Sequence, residues 1–153
     1  MAIESCIREI REELPLIDDL ITSHGELLAA LKKRAPGQIE QSAVATVLHS
    51  FYNGIEKIFV RIAKRIDDHV PVSDLWHQEL LMQMTKKTKK RPAVISKELA
   101  EKLSPYLGFR HFFRHAYVFQ FKWDKMKELV HDIGKTHAQF NSEIEQFLAA
   151  IEK

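Results

Sequence analysis

The chain has 153 residues and a mass of 17.8 kDa, which is the size of one domain. Five Gly and five Pro are too few for an all-β or loop-rich protein, and a hydrophobic fraction of 45% excludes wholesale disorder. The single cysteine, Cys6, excludes a disulfide framework and a cysteine-built zinc site. Over the whole chain, the net charge of +2 does not suggest a nucleic-acid binder. These values predict a single globular domain over residues 1–153.

The location of the protein is also constrained by its hydropathy pattern. The N-terminal residues contain no apolar run of the kind that a signal peptide needs. No segment approaches the roughly 20 apolar residues of a membrane span. We therefore expect a cytoplasmic protein that does not bind a membrane.

The first third of the chain predicts two long helices. Apolar residues recur at every third or fourth position over 3–31, which is typical of an amphipathic helix. Pro15 falls inside this stripe, so either the helix kinks there or a new one starts. Pro36-Gly37 predicts the end of this helical segment, and a second apolar stripe predicts a helix from about Gln38 to Asp68.

The middle of the chain predicts shorter helices, over about 73–84, 96–103 and 104–117. The sequence KKTKKR, from Lys86 to Arg91, predicts a mobile basic loop between the first two of them. Aromatic residues alternate from Tyr117 to Trp123, which predicts an extended segment, and a last long helix is predicted from Asp124 to Ile151. Three long and two or three short helices make an all-α bundle, whose wide apolar stripes could also serve a dimer interface.

The positive charge is concentrated in one part of the chain. Residues 86–125 hold 11 Lys and Arg against 3 acidic residues, a local charge of +8, which leaves −6 for the rest. A concentration of positive charge in one segment of a chain whose net charge is near zero indicates polyanion binding. Taken alone, a basic loop is more often a solvated surface, so the segment that follows it decides the interpretation.

That segment, residues 109–123, reads FRHFFRHAYVFQFKW. Arg offers a fixed cation and several donors for phosphate oxygens, and His can carry a proton near neutral pH. RNA brings its own nucleophile, the 2′-hydroxyl, so a ribonuclease needs only a base, an acid and a charge stabiliser. The pattern R-x4-H-x-Y, formed by Arg110, His115 and Tyr117, has a chance expectation of only about 0.01 in this composition.

The stretch RHFFRHAY, residues 110–117, resembles the R-x4-H-x-Y motif of HepT-type toxins in the HEPN ribonuclease superfamily. LHSFYNGIEKIF, SDLWHQELL and RPAVIS, in the preceding helices and loop, are also similar to the HepT-like branch. The resemblance implies a single HEPN-type helical bundle, usually a homodimer with a composite cleft between two facing motifs. It also implies an endoribonuclease without metal or cofactor, and an MNT-type nucleotidyltransferase antitoxin that transfers AMP to Tyr117.

On this interpretation His115 is a general base or acid, and Arg110 stabilises charge in the transition state. His111 orients His115 or assists proton transfer, and Tyr117 positions the RNA substrate and accepts AMP. RNA phosphates are attracted by a set of flanking cations: Arg114, Lys86, Lys87, Lys89, Lys90 and Arg91. One geometric difficulty remains, because five residues along an ideal helix rotate by about 140°, so Arg110 and His115 do not share a face.

Alternative interpretations are open at this stage. His111 and His115 stand at i and i+4 and could bind a metal, but no HExxH motif or third ligand accompanies them. The aromatic residues around them are more often core and interface packing than platforms for bases. The whole chain could instead be a non-catalytic HEPN scaffold that binds RNA or nucleotide, or a plain helical dimerisation protein.

Overall fold

A computed structural model describes residues 2–152, apart from the side chain of Val118. Within this range the chain forms six α-helices and no β-strand, which confirms the predicted all-α class. In chain order they are α1 (Ala2–Ser23), α2 (Gly25–Ala30), α3 (Gln38–Ile62), α4 (Trp76–Gln83), α5 (Lys97–His115) and α6 (Trp123–Ile151). None of these six helices is both long and apolar enough to cross a bilayer.

Helix α3 is the centre of the bundle and packs against α1, α4, α5 and α6. Its apolar stripe is wide, and Leu48, Phe51, Ile55, Ile58 and Phe59 are all fully enclosed. Removing a large apolar side chain from water stabilises the fold by about 1.5–3 kcal/mol, so this helix contributes much of the core. Helix α5, which carries Arg110, His111 and His115, packs directly against it.

The N-terminal stripe forms two helices that are divided at His24, and not at Pro15, where the sequence predicts either a kink or the start of a new helix. Pro15 is exposed and lies within an unbroken α1, because the apolar residues on both sides of it remain packed on the core. The helix ends at Ser23, and there His24 Nδ1 donates to the carbonyl oxygen of Leu20 at 2.8 Å. Side-chain bonds of this kind compete with the backbone bonds that would continue the helix.

The ends of α3 agree with the sequence prediction. Its start is fixed by the Gly37 amide, which donates to Glu40 Oε1 at 3.0 Å. At its other end the helix widens into a π-helical turn, Ala63–Asp67. Asp68 then adopts a left-handed conformation with φ of 53°, which ends the helix at the predicted place.

The prediction of two short helices over 96–103 and 104–117 is wrong, because both belong to α5. Ser96 Oγ accepts the amide of Leu99 at 3.0 Å and caps this helix. Pro105 lies inside it without ending it. Tyr106, next to the proline, is buried and donates its hydroxyl to the carbonyl oxygen of Leu129 on α6 at 2.7 Å. Packing against α3 and α6 therefore outweighs the local preference for a break.

The aromatic segment after α5 is not extended, contrary to the prediction. Val118–Gln120 forms a 3₁₀ turn, closed by the Gln120 amide bonding to the Tyr117 carbonyl at 2.8 Å. The Gln120 side chain returns to accept the Tyr117 amide at 2.7 Å. The alternation of aromatic residues thus reflects a turn that buries Phe121 and leaves Phe119, two positions earlier, exposed.

Candidate functional site

Arg110 lies on the face of α5 that packs against α3, and it is only 9% exposed. Its Nη2 is 3.6 Å from Oε1 of Glu56, a residue on α3 that is 4% exposed. Arg110 Nε is buried without a hydrogen-bond partner among the described residues. The guanidinium is therefore held in place by a buried carboxylate while part of its donor capacity stays unused.

The same carboxylate also holds a histidine from a third helix. Nδ1 of His77, on α4, lies 2.7 Å from Glu56 Oε2. An ionised carboxylate only accepts hydrogen bonds, so this contact places a proton on Nδ1. The ring of His77 stacks on Trp76, with centroids 3.7 Å apart. Glu56 thus joins α3, α4 and α5 at one point, with Arg110 on one oxygen and His77 on the other.

Two further polar side chains of α3 lie beside this ion-pair group. The Tyr52 hydroxyl is enclosed without a partner among the described residues. Burial raises the pKa of Tyr52 strongly, the negative charge of Glu56 adds to the rise, and Arg110 opposes it. His49 stacks on Phe113 with ring centroids 4.5 Å apart. Burial lowers the pKa of His49, and the positive charges on Arg110 and Arg114 lower it further.

A cleft of about 370 Å³ opens over Arg110, between α4 and α5. His77 and His111 line the cleft together with Arg110, as do Asp74 and Gln78. One cation, two imidazoles and one carboxylate therefore share a concave surface within a single chain. This composition fits a phosphate-containing ligand better than an apolar one, because the guanidinium and the imidazoles are donors for phosphate oxygens.

His115 lies at the end of α5 and is exposed. It stands beside His111, with ring centroids 4.7 Å apart, as the i and i+4 spacing predicts. It does not line the cleft over Arg110. Within one chain, His111 is therefore the link between the two sequence-predicted residues, because it lines the cleft with Arg110 and contacts His115.

Tyr117 is just beyond the end of α5 and is 72% exposed. Its ring stacks on the ring of Phe119, with centroids 5.6 Å apart and planes 5° from parallel. The other two tyrosines of the chain, Tyr52 and Tyr106, are at most 1% exposed. Tyr117 thus presents the accessible hydroxyl that a modifying enzyme requires.

The predicted phosphate-binding cations occupy two separate places. Arg114 is exposed near the end of α5, close to the motif. Lys86, Lys87, Lys89 and Lys90 are in the loop before the start of α5, and none of them is buried. Lys89 and Lys90 line a separate cavity with Asp67 and His69. None of the four lysines lines the cleft over Arg110, so the structure does not gather them in that cleft.

Arg91 differs from its lysine neighbours because its guanidinium is buried. Its Nε and Nη2 bond both oxygens of Asp67, at 2.6 and 2.7 Å. Its Nη1 donates to the carbonyl oxygens of Lys86 and Pro92, and Nη2 also donates to that of Gln83. The loop expected to be mobile is anchored by this side chain, so Arg91 has a structural role and does not present its charge to a ligand.

The adjacent His111 and His115 do not form part of a larger ligand cluster. Among residues 2–152, no group of three or more His, Cys, Asp or Glu side chains has the geometry of a metal site. A zinc ion takes at least three protein ligands, so this pair alone is an incomplete set.

Sequence reasoning missed Glu56, His77 and His49. A signal for Glu56 was available, because it is an acid within the apolar stripe of α3, where a buried charge requires a partner. His77 and His49 carried no such signal, since their roles depend on the packing of α4 and α5 on α3. The sequence could predict that the Glu56 carboxylate pairs with a cation, but it could not predict which cation.

Comparison with known proteins places the chain in a family. No curated protein and no solved structure matches it. The family model described as HepT-like protein matches residues 43–151, which is more than half of the chain and includes Glu56, His77 and the whole R-x4-H-x-Y motif. The chain therefore belongs to the HepT-like family of the HEPN superfamily, as its motif predicted.

Proposed function

We propose that this HepT-like protein is the ribonuclease toxin of a toxin–antitoxin pair. Its reaction would be cleavage of RNA through the 2′-hydroxyl, without metal. The observation that carries the proposal is the cleft in which a buried, carboxylate-held Arg110 stands beside His111, with His115 in contact with His111. A charge stabiliser and proton carriers are the groups that this reaction requires.

The reaction forms a bond between the 2′-oxygen and phosphorus and breaks the bond from phosphorus to the 5′-oxygen. One group removes the proton of the 2′-hydroxyl, and another gives a proton to the departing 5′-oxygen. His115 takes one of these roles, and His111 orients it or assists the transfer. Arg110 stabilises the negative charge that develops on the phosphate oxygens, and a fixed guanidinium does this without reorganisation. The products are a 2′,3′-cyclic phosphate and a 5′-hydroxyl.

The separation of Arg110 and His115 within one chain supports a homodimer in this proposal. Arg110 is buried toward α3, whereas His115 is exposed at the end of α5. Two copies related by a twofold axis would bring the exposed His115 of each chain toward the cleft of the other. Sedimentation of the purified protein tests this, since a monomer that cleaves RNA would contradict the composite cleft.

Tyr117 is the proposed target of an MNT-type nucleotidyltransferase antitoxin. Its exposure and its position two residues after His115 support this assignment. An added AMP would place bulk and negative charge beside the histidines, and like charges would repel the RNA backbone. The same exposed ring, stacked on Phe119, could contact a base of the bound RNA before modification.

Cleavage of RNA by the purified protein in the presence of a chelator tests the proposed activity. We expect cleavage by the wild type, and losses of about 100-fold or more for Arg110→Ala and His115→Ala. His69→Ala is the matched control, because His69 is exposed and does not line the cleft over Arg110. Full activity of either motif variant would contradict the assignment.

A second function is favoured by one observation. Arg110 is only 9% exposed and forms an ion pair with Glu56, which is typical of a residue that stabilises a fold. The protein would then be a non-catalytic module that binds RNA through Arg114 and the loop lysines. Salt-dependent binding of RNA without any cleavage, unchanged in Arg110→Lys, distinguishes this function from the first.

A further inference from the structure

His77 is a candidate for a chemical role because of its position and its partner. It lines the same cleft as Arg110 and His111, and its side chain is 24% exposed. Its Nδ1 is bonded to Glu56 Oε2 at 2.7 Å. Among residues 2–152, no side chain or carbonyl bonds its Nε2. The imidazole is thus held at one nitrogen and free at the other.

The contact with Glu56 determines which form of the ring faces the cleft. With the proton on Nδ1 directed at the carboxylate, Nε2 carries the lone pair that can accept a proton. When Nε2 accepts a proton, the resulting imidazolium is stabilised by the adjacent carboxylate. A carboxylate behind a histidine performs this function in hydrolases, where it fixes the tautomer and supports the charged ring.

The other contacts of Glu56 make it a rigid support. The other oxygen of Glu56, Oε1, is 3.6 Å from Arg110 Nη2, and Glu56 and Arg110 are both buried. Trp76 stacks on the His77 ring and restricts its rotation. Among the charged and titratable groups, Glu56 from α3 contacts His77, and Arg110 and His111 from α5 and Asp74 from the preceding loop line the same cleft.

We infer that His77 is a catalytic residue of the RNA-cleaving cleft and that Glu56 is its positioning residue. In this role His77 Nε2 takes the proton of the 2′-hydroxyl as the bond between the 2′-oxygen and phosphorus forms. His115 of the second chain in the proposed dimer gives a proton to the 5′-oxygen as the bond from phosphorus to that oxygen breaks. This inference rests on the proposed ribonuclease function. It supplies the base from the same chain that supplies Arg110.

The first test compares kcat and KM for RNA cleavage by His77→Ala and by Met82→Ala. Met82 is on the same helix, α4, but it is exposed and does not line the cleft, so it controls for a change elsewhere on that helix. We expect kcat of His77→Ala to fall by about 100-fold or more at nearly unchanged KM, because general base catalysis contributes about 10²–10⁴. Met82→Ala should stay within about threefold of the wild type. His77→Gln gives a second reading if His77→Ala folds poorly.

The second test uses a uridine 3′-(4-nitrophenyl phosphate) substrate, whose leaving group needs no protonation. Loss of a general acid should matter little for this substrate, whereas loss of the base should still slow it. We therefore expect the defect of His115→Ala to shrink and the defect of His77→Ala to persist. A His77→Ala defect that disappears with this substrate overturns the assignment of His77 as the base.

Glu56 is tested by a double-variant cycle. If it acts through His77, Glu56→Gln should lower kcat of the wild type more than it lowers kcat of His77→Ala. Losses that simply multiply overturn the positioning role. Wild-type protein that does not cleave RNA overturns both the proposed function and this inference. Wild-type cleavage that requires His115, with His77→Ala within about threefold of wild type, overturns this inference alone.

Discussion

Arg110 and His115 lie five residues apart on α5 and are directed to different surfaces of that helix. Arg110 is 9% exposed and faces Glu56 on α3, whereas His115 is exposed and stands against His111. The helical rotation of about 140° over five residues requires this separation. Replacing Arg110 therefore affects the core of the domain as well as its chemistry, and the two effects can be measured separately.

Arg110→Ala should destabilise the fold, because it leaves the Glu56 carboxylate buried without its cation. Removing one member of a buried ion pair costs about 3–5 kcal/mol. Since His77 still bonds Glu56, we expect the lower end of this range. Urea unfolding of Arg110→Ala and of Glu56→Gln/Arg110→Met measures the difference, and the double variant should recover part of the loss. A double variant less stable than Arg110→Ala would contradict the ion pair as the cause.

Arg91 and the adjacent lysines should respond in opposite ways to substitution. Arg91→Ala breaks a bidentate pair with Asp67 and three bonds to carbonyl oxygens, so we expect a loss of about 3–5 kcal/mol of stability. Replacing the four loop lysines (86, 87, 89 and 90), none of which is buried, with Ala should leave stability nearly unchanged. If they bind RNA, the slope of log affinity against log salt should fall by about 0.7 for each lysine that no longer neutralises a phosphate. Equal stability losses in the two variants would contradict this division.

The contrast between Arg91 and the lysines indicates what the sequence could and could not predict. Periodicity predicted α3 and α6 well, because their apolar stripes decide their burial. By contrast, Ser104-Pro105, which is typical of a helix start, predicted a break that packing against α3 and α6 removes. For the site, the motif residues are recognisable by type and spacing, whereas the partner of Arg110 depends on which residue of α3 faces α5. That register is a property of the packed helices and is absent from any local pattern.

Gly54 should be required for the close approach of α3 and α1. A Cβ at this position would lie 2.8 Å from Ile17 Cγ1, which is too close for carbon atoms. Overpacking of this kind costs about 1–3 kcal/mol, and the better helix propensity of Ala offsets part of that cost. Gly134→Ala in α6 is the matched control, because its Cβ would meet no atom within 4 Å. We expect Gly134→Ala to raise the thermal midpoint and Gly54→Ala to lower it, and Ile17→Ala should reduce the additional loss.

Tyr117→Phe should separate modification from cleavage. The variant keeps the ring that stacks on Phe119 but lacks the hydroxyl that would accept AMP. We expect nearly unchanged cleavage of RNA, no mass increase on incubation with the nucleotidyltransferase and ATP, and no loss of cleavage after that incubation. Tyr52→Phe and Tyr106→Phe are matched controls, because both side chains are buried. Transfer of AMP to Tyr117→Phe would contradict the proposed target.

His49 should make the stability of the domain depend on pH below neutrality. Burial holds the pKa of His49 below 6.5 in the folded chain, with Arg110 and Arg114 adding to the effect, whereas the unfolded chain titrates near 6.5. As the pH falls below that value, the unfolded chain binds the proton first, so the free energy of unfolding decreases. The phenyl ring introduced by His49→Phe cannot titrate, and it can still stack on Phe113.

The measurement is the free energy of unfolding from urea titrations between pH 7.5 and pH 5, for the wild type, His49→Phe and His69→Phe. We expect the decrease at low pH to be smaller in His49→Phe than in the wild type. His69 is exposed and does not line the cleft over Arg110, so His69→Phe is the control for replacing a histidine with a phenyl ring. An identical decrease in all three proteins would place the pH dependence on other groups, because His49→Phe removes the titration of His49.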